Sequence, residues 1–256
     1  MATPAYLAAK RRGLPIVVHE ANPRPGLANR LGARLTDHVF SGFPETTLPK
    51  AEYIGTPLRR DIVTLDRLST GDKARSWFGL ENDRPTLLVF GGSQGSRSIN
   101  HAALAAAPVL RRAGVQVLHV IGPKNTVEHE PPPGDPQYVL LPYIDRMDLA
   151  YAAADVALCR SGALTCAELT AVGLPGAYVP LPYGNGEQRI NAERIVRGGG
   201  GLVADDAELS PEWIIHNVLP ILRDPERVVA MSEAASRLGR KDADIMLARK
   251  VLEIAR

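Results

Sequence analysis

Short, largely apolar runs that alternate with helical stretches constrain the fold of this chain more than any other feature of its sequence. The runs have strand length, and most of the segments between them are long enough for a helix. Strands that are apolar throughout must be covered on both faces, which is typical of parallel sheets between two layers of helices. The sequence therefore predicts an α/β protein with a doubly wound parallel sheet, whose ligands bind at the carboxyl ends of the strands.

Seven runs are predicted as strands, and a weaker eighth lies around residues 38–40. The seven strands are 16–18, 86–90, 115–121, 138–141, 155–158, 176–180 and 201–204. Helical patterns occupy 96–112, 145–153, 163–172, 187–197 and 211–223, with a short one around 73–78. Residues 224–256 are predicted to be helical with an interruption at Gly239.

The first 58 residues hold too few predicted elements to bury a core of their own. We expect them either to pack on the larger domain or to be the remainder of an incomplete one. Two other segments are predicted as connections: residues 56–85, which contain several turn motifs, and the proline-rich EHEPPPGDPQ at 128–137.

Composition is that of a globular protein and argues against several kinds of site. The apolar fraction is 45%, no apolar run reaches membrane-spanning length, and no signal peptide is visible. A net charge of +2 is too small to indicate nucleic acid binding. The six histidines show no metal-ligand spacing, and Cys159 and Cys166 are predicted to be buried, reduced thiols, as suits the cytosol.

The first of three loops that could hold a ligand is FGGSQGSRSIN, residues 90–100, between a predicted strand and a helix. Its glycines let backbone N–H groups approach an anion, and the helix N-terminus attracts negative charge. Ser93 stands where the dinucleotide fingerprint GxGxxG has its second glycine, which argues against a dinucleotide. Ser93 could donate to a phosphate, or Ser93 or Ser96 could simply cap the helix.

The second loop, CRSGALTCAE, repeats this pattern after a later strand. The amides of Ala163, Leu164 and Thr165 are unpaired donors at a helix start. Glu168 shares a helix face with Leu164, so it could accept hydrogen bonds from the two vicinal hydroxyls of a ribose, or it could be a solvated side chain. Arg160 either pairs with phosphate or braces the loop, and we favour the brace.

The third loop is YGNGEQRINAERI, in which Gln188 and Asn191 share a helix face. Amides both donate and accept, which suits sugar hydroxyls, although solvated positions are the alternative. Near the front of the chain, polar groups follow a strand as in a cleft: His19, Glu20, Asn22 and Asn29. His19 is a candidate base or a hydrogen-bonded core residue, the commoner case. Arg59 could neutralise a phosphate or be an exposed charge.

Taken together, these motifs resemble one family. HEAN–PGLANR, IGTPLRRD, GGSQGSRSIN, YIDRM and CRSGALTCAEL, with Gln188 and Asn191, are similar to the MurG family of UDP-N-acetylglucosamine–N-acetylmuramyl-(pentapeptide) pyrophosphoryl-undecaprenol N-acetylglucosamine transferases, in glycosyltransferase family 28. The resemblance runs in order from His19 to Glu193. It implies a GT-B fold of two Rossmann-like domains: residues 1–58 as the remainder of the acceptor domain, 59–239 as the UDP-GlcNAc-binding domain, and 240–256 as a helix returning to the first.

The resemblance also implies roles for particular residues, without a metal or a cofactor. Ser93 meets the diphosphate, the backbone of Ile144 meets uracil, and Glu168 takes the ribose hydroxyls. The amides at the start of the later helix lie near the phosphates, Gln188 and Asn191 contact the GlcNAc, and two residues line the cleft: Asn22 and Arg59. The implied reaction is an inverting transfer of GlcNAc from UDP-GlcNAc to lipid I, which gives lipid II for peptidoglycan, at the inner face of the bacterial plasma membrane by a peripheral, cytoplasmic protein.

One departure concerns the acceptor site. The family begins with a glycine-rich, GGTxGH-like loop that ends in a histidine, and this sequence has no such loop. We therefore expect an N-terminally truncated chain with a complete donor site and an unassigned catalytic base, for which His19 is only a weak candidate. The alternatives are a non-catalytic UDP-GlcNAc-binding module, a UDP-GlcNAc 2-epimerase or other transferase of the same architecture, and an NAD-dependent oxidoreductase, against which the missing GxGxxG argues.

Overall fold

A computed structural model describes residues 2–126, 134 and 136–255 of the chain. The predicted proline-rich connection at 128–137 lies mostly outside these residues. The chain divides into two compact units, which we call unit 1 (Met1–Arg59 with Arg240–Arg256) and unit 2 (Arg60–Gly239). The end of the chain therefore belongs to the same unit as its beginning.

Unit 1 is built on three short parallel strands, which pair in the order β1-β2-β3. The strands are β1 (Val18–Glu20), β2 (Val39–Ser41) and β3 (Glu52–Tyr53), and the helices are α1 (Ala2–Arg11), α2 (Leu27–Leu35) and, at the end of the chain, α12 (Ala243–Ile254). Its buried apolar cluster is small, as expected of so short a segment: Ile16, Val18, Ala33, Val39 and Leu48.

Within the described residues, unit 2 is a doubly wound α/β domain with one sheet of six parallel strands. These are β4 (Thr86–Phe90), β5 (Gln116–Val120), β6 (Tyr138–Leu141), β7 (Val156–Cys159), β8 (Gly176–Tyr178) and β9 (Gly201–Val203), in the order β6-β5-β4-β7-β8-β9. Every residue of β4, β5 and β7 is buried, which confirms that the apolar runs are strands covered on both faces.

Helices of unit 2 follow the strands in the predicted alternation. They are α3 (Arg60–Val63), α4 (Arg67–Trp77), α5 (Arg97–Arg112), α6 (Met147–Ala153), α7 (Ala163–Val172), α8 (Glu187–Arg197), α9 (Pro211–Trp213), α10 (Leu219–Leu222) and α11 (Pro225–Ser236). In α5 the buried residues recur three or four apart, which sets one apolar face on the sheet: Ile99, Ala102, Ala103, Ala106 and Leu110. None of the described helices combines the length and the apolar character that crossing a bilayer requires.

Several elements of unit 1 differ from the predicted ones. β1 begins two residues later than predicted, because Val18 is the first residue that pairs with β2, opposite Val39. One helix was expected before Arg59, without bounds, whereas the structure has two, α1 and α2. They contact each other, and the Tyr6 hydroxyl of α1 donates to Asn29 of α2 at 2.9 Å. Two-residue β3 was also missed, since so short a strand has no sequence pattern.

In unit 2 the predicted helix 211–223 is interrupted. A π-helical turn over Ile214–Val218 separates α9 from α10. Pro220 has no N–H to donate to the preceding turn, so a regular helix cannot continue through it. By contrast, α4 is longer than the predicted 73–78, because Asp66 caps it by accepting from the amides of Leu68 and Ser69.

Candidate functional site

The three predicted ligand loops lie side by side at one edge of the unit 2 sheet. They connect β4 to α5, β7 to α7 and β8 to α8, and β4, β7 and β8 are consecutive in the strand order. Because all the strands are parallel, the carboxyl ends of these three point to the same edge. The structure therefore brings together loops that are separated by up to 90 residues in the sequence.

The glycine-rich loop after β4 is shaped by close backbone contacts. A Cβ on Gly95 would lie 1.9 Å from the carbonyl oxygen of Ile121, and Gly95 has a φ of +75°, so only glycine fits there. The Asn125 side chain donates to the carbonyl oxygens of Gln94 and Ile121, at 2.8 and 2.9 Å. Nothing in the sequence pattern assigned this role to Asn125.

The two serines of this loop have different roles. Ser96 is the N-cap of α5, and its hydroxyl accepts from the amide of Ile99. Ser93 is exposed at the tip of the loop. Ser96, and not Ser93, is therefore the serine that caps the helix.

The loop after β7 presents the start of α7. Its N-cap is Gly162, which has no side chain to satisfy the first-turn amides of Ala163, Leu164 and Thr165. The Leu164 side chain is 53% exposed, so this helix start is accessible. One turn further along, Glu168 is only 6% exposed, which contradicts the solvated alternative for this side chain.

Arg160 braces all of these loops, as we favoured from the sequence. Its guanidinium donates to the hydroxyls of Ser96 and Ser98, at 2.8 and 3.0 Å, and to the carbonyl oxygens of Val179 and Pro180, both at 3.1 Å. It also lies 2.5 Å from a carboxylate oxygen of Asp206, after β9. The guanidinium therefore joins the ends of β4, β7, β8 and β9.

Of the amide pair of α8, Asn191 is buried and Gln188 is half-buried. Gln188 accepts from the amide of Leu181 at 3.1 Å, and Asn191 donates to the carbonyl oxygen of Ser161 at 3.0 Å. Asn191 is 1% exposed, and its Oδ1 hydrogen-bonds to nothing within the described residues; the same holds for the Ser161 hydroxyl. An unpaired buried acceptor beside an unpaired hydroxyl is costly, and a ligand hydroxyl or water would relieve that cost.

Ile144 follows β6, which lies at the edge of the sheet beyond β5. Its side chain is 7% exposed, whereas the neighbouring Tyr143 is 55% exposed. The side chain of Ile144 thus anchors the turn in the protein. Any recognition by this residue would come from its backbone.

In unit 1 the HEAN segment is organised by a buried carboxylate. Glu20 accepts from the amides of Asn22 and Gly26 and from the Asn29 side chain, at 2.9–3.0 Å. The ring nitrogen Nε2 of His19 contacts the carbonyl oxygen of Gly55 at 2.9 Å. A carbonyl only accepts, so Nε2 carries a proton and cannot take up another, which agrees with the core interpretation of His19.

Comparison with known proteins assigns the family. The chain matches the family model described as glycosyltransferase family 28 C-terminal domain over residues 86–246, which is more than half of its length. The corresponding N-terminal domain model matches residues 1–41. The chain belongs to glycosyltransferase family 28.

Relatives in this family share most of the sequence. A protein of Thermobifida fusca (strain YX) named UDP-N-acetylglucosamine--N-acetylmuramyl-(pentapeptide) pyrophosphoryl-undecaprenol N-acetylglucosamine transferase is 63% identical over 257 residues, covering 100% of this chain and 68% of that protein. A protein of the same name from Streptomyces avermitilis is 58% identical over 254 residues, covering 99% of this chain and 70% of that protein.

Solved structures agree with this placement. The crystal structure of Acinetobacter baumannii MurG has a TM-score of 0.80 and 25% identity, and the match covers 98% of this chain and 70% of that one. A UDP-GlcNAc 2-epimerase from Neisseria meningitidis has a TM-score of 0.65 at 15% identity, which shows a shared fold alone. The predicted GT-B fold class is confirmed.

The family 28 C-terminal match includes all three loops, and the N-terminal match includes His19, Glu20 and Asn22. Arg59 is an exposed residue of unit 1 between the two matches. Both cysteines are buried, and burial raises their thiol pKa values, as expected of inert thiols. The described residues contain no group of three or more His, Cys, Asp or Glu that could hold a metal.

Proposed function

We propose that this chain binds UDP-GlcNAc at the three adjacent loops of unit 2 and transfers its GlcNAc, with inversion, to the lipid-linked muramyl-pentapeptide named in its relatives. The observation that carries the proposal is the convergence of these loops at one sheet edge, with the buried Glu168 one turn inside the central helix. Relatives of the same family at 58–63% identity bear this substrate in their names.

Each part of the nucleotide sugar has a proposed partner. Ser93 and the first-turn amides of α7 (Ala163, Leu164 and Thr165) hold the diphosphate, because a helix start favours negative charge. The backbone of Ile144 holds the uracil. Glu168 accepts from the ribose hydroxyls, and Gln188 and Asn191 contact the GlcNAc. Asn22 and Arg59 of unit 1 are proposed substrate-binding residues because they match the family motif.

The chemistry is attack by an acceptor hydroxyl on the anomeric carbon of GlcNAc, with UDP as the leaving group. The hydroxyl passes its proton to a general base as the new C–O bond forms, and the bond from the anomeric carbon to the phosphate oxygen breaks, with its electron pair leaving on UDP. Amides at the starts of α5 and α7 stabilise the charge that develops on UDP. We do not assign the base: His19 Nε2, which donates to the Gly55 carbonyl oxygen, is not the nitrogen that could take up the proton. Because the acceptor is linked to undecaprenol, a membrane lipid, we propose that the protein associates peripherally with the inner face of the plasma membrane.

Two assays test the proposal. Calorimetric titration should detect UDP-GlcNAc binding but no NAD binding, and the Glu168→Ala variant should bind UDP-GlcNAc about tenfold or more weakly. The matched control is Glu233→Ala, at an exposed glutamate of α11, which should bind like the wild type. Transfer of labelled GlcNAc to a lipid I analogue then separates a transferase from a binding module or a 2-epimerase. NAD binding, or unchanged UDP-GlcNAc affinity in Glu168→Ala, would contradict the proposed donor site.

A further inference from the structure

We propose that Tyr151 is the positioning residue for Glu168, and that it makes this carboxylate selective for a nucleotide with both ribose hydroxyls. The inference rests on the proposed function of Glu168. The Tyr151 hydroxyl donates to Glu168 Oε2 at 2.7 Å, and the two side chains are 1% and 6% exposed. Because both side chains are buried, this hydrogen bond holds the carboxyl group of Glu168 in one orientation.

The tyrosine is well suited to orient a neighbour. Its ring is rigid and lies against the ring of Phe90, with centroids 6.2 Å apart and planes at 52°. Phe90 is the last residue of β4, directly before the glycine-rich loop. Tyr151 therefore connects Glu168, through its hydroxyl, to the start of the loop that is proposed to hold the diphosphate.

A half-buried arginine, Arg67, fixes the helix that carries Tyr151. Arg67 donates through Nε to the carbonyl oxygen of Tyr151 at 3.0 Å, and through Nη2 to that of Ala154 at 2.6 Å. Its Nη1 donates to the carbonyl oxygen of Gly173, at the end of α7, at 2.5 Å. Burial lowers the Arg67 pKa to about 10, so the guanidinium stays charged at neutral pH. One cation thus joins α6, which carries the tyrosine, to α7, which carries the glutamate.

This arrangement predicts how the site distinguishes ribose from a sugar that lacks the 2′ and 3′ hydroxyls. A carboxylate can accept hydrogen bonds from two vicinal hydroxyls only if its oxygens face them. A carboxylate that has rotated away no longer contributes these hydrogen bonds to the binding free energy. Loss of the Tyr151 hydroxyl should therefore weaken binding of UDP but leave binding of 2′,3′-dideoxy-UDP nearly unchanged. General damage to the fold would weaken both ligands together.

The test is calorimetric titration of the 256-residue chain with UDP and with 2′,3′-dideoxy-UDP. In Tyr151→Phe the affinity for UDP should fall about tenfold while that for the dideoxy ligand changes by less than about twofold. Tyr178→Phe is the matched control. Tyr178 is also fully buried, but its hydroxyl hydrogen-bonds to nothing in the part of the chain that the structure describes, so neither affinity should change.

Two further variants separate the inference from the function on which it rests. Glu168→Ala should abolish the preference for UDP; if the preference persists there, the ribose assignment of Glu168 is wrong. If Glu168→Ala loses the preference and a folded Tyr151→Phe keeps it, the positioning role alone is overturned. Replacement of Tyr151 by 4-aminophenylalanine, which restores a donor, should recover the preference; failure to do so in a folded protein would also overturn the positioning role.

Discussion

The guanidinium of Arg160 lies 2.5 Å from the carboxylate of Asp206, and this pair closes the ring of contacts that ties four strand ends together. The Asp206 carboxylate also accepts from Ser98 at 2.7 Å. Their side chains are only 12% and 19% exposed. A buried charge that loses its partner remains desolvated, so each member of this pair depends on the other.

Removal of Arg160 should therefore destabilise unit 2. We expect Arg160→Ala to lower the free energy of unfolding by about 2–3 kcal/mol, because the largely desolvated carboxylate of Asp206, 19% exposed, would lose its cation. Urea denaturation measures the change. The matched control is Arg189→Ala, which breaks an exposed pair with the adjacent Asp205 and should cost less than about 1 kcal/mol. Equal losses in the two variants would show that Arg160 is no more than a surface charge.

The glycine-rich loop should tolerate a methyl group at one glycine and not at another. Gly95→Ala should lower the free energy of unfolding by more than about 2 kcal/mol, since its Cβ would overlap the carbonyl oxygen of Ile121. Gly92 also has a positive φ, of +87°, but apart from its chain neighbours no atom of the described residues lies within 4 Å of the position of a Cβ there. Gly92→Ala should therefore cost only about 1 kcal/mol, from backbone strain alone. Thermal denaturation of both variants tests the difference, and a similar cost for both would contradict the close contact.

Acid should destabilise unit 2 through His119. His119 is buried, and its ring nitrogens hydrogen-bond to Asn100 and Tyr138. Burial lowers the pKa of this histidine to about 3, whereas in the unfolded chain the pKa has its ordinary value of about 6.5. A lowered folded pKa means that the unfolded chain binds the extra proton as pH falls from about 6.5 to 3. The free energy of unfolding should then fall by about 1.4 kcal/mol per pH unit in that window.

The His119→Gln variant isolates this contribution. It should be less stable than the wild type at pH 7, because glutamine cannot reproduce both hydrogen bonds. Its stability should depend less on pH between pH 6 and 4, as measured by urea midpoints. An equally steep pH dependence in the variant would assign the acid sensitivity to other groups.

In unit 1 the buried Glu20 should control the order of the HEAN loop. Glu20→Gln places an amide N–H among three N–H donors, so we expect a loss of about 1–3 kcal/mol in the free energy of unfolding. Hydrogen exchange should accelerate at the amides of Asn22 and Gly26. Glu52→Gln, which alters a half-exposed pair with Lys250, should leave exchange at these amides unchanged. Protected amides in Glu20→Gln would contradict the role of the carboxylate.

The sequence by itself determined the parallel sheet of unit 2 and the three loops at its edge. Strands buried on both faces must be apolar along their whole length, and glycines are required where the chain turns tightly, so both features are written locally in the residues. The elements of unit 1 were predicted less well. The strands there are two or three residues long, and α2 is held by contacts with α1 that no local pattern records.

Only the tertiary structure decided which polar side chains of the site support others. Arg160, Asn125 and Tyr151 each contact at least one partner 17 to 64 residues away, so their roles depend on how distant segments meet. The same holds for the burial of Glu168 and Asn191, which sequence spacing left open between a ligand contact and a solvated face. Local sequence encodes strands, turns and helix starts, whereas hydrogen-bond partners across the sheet edge exist only once the strands have been placed in order.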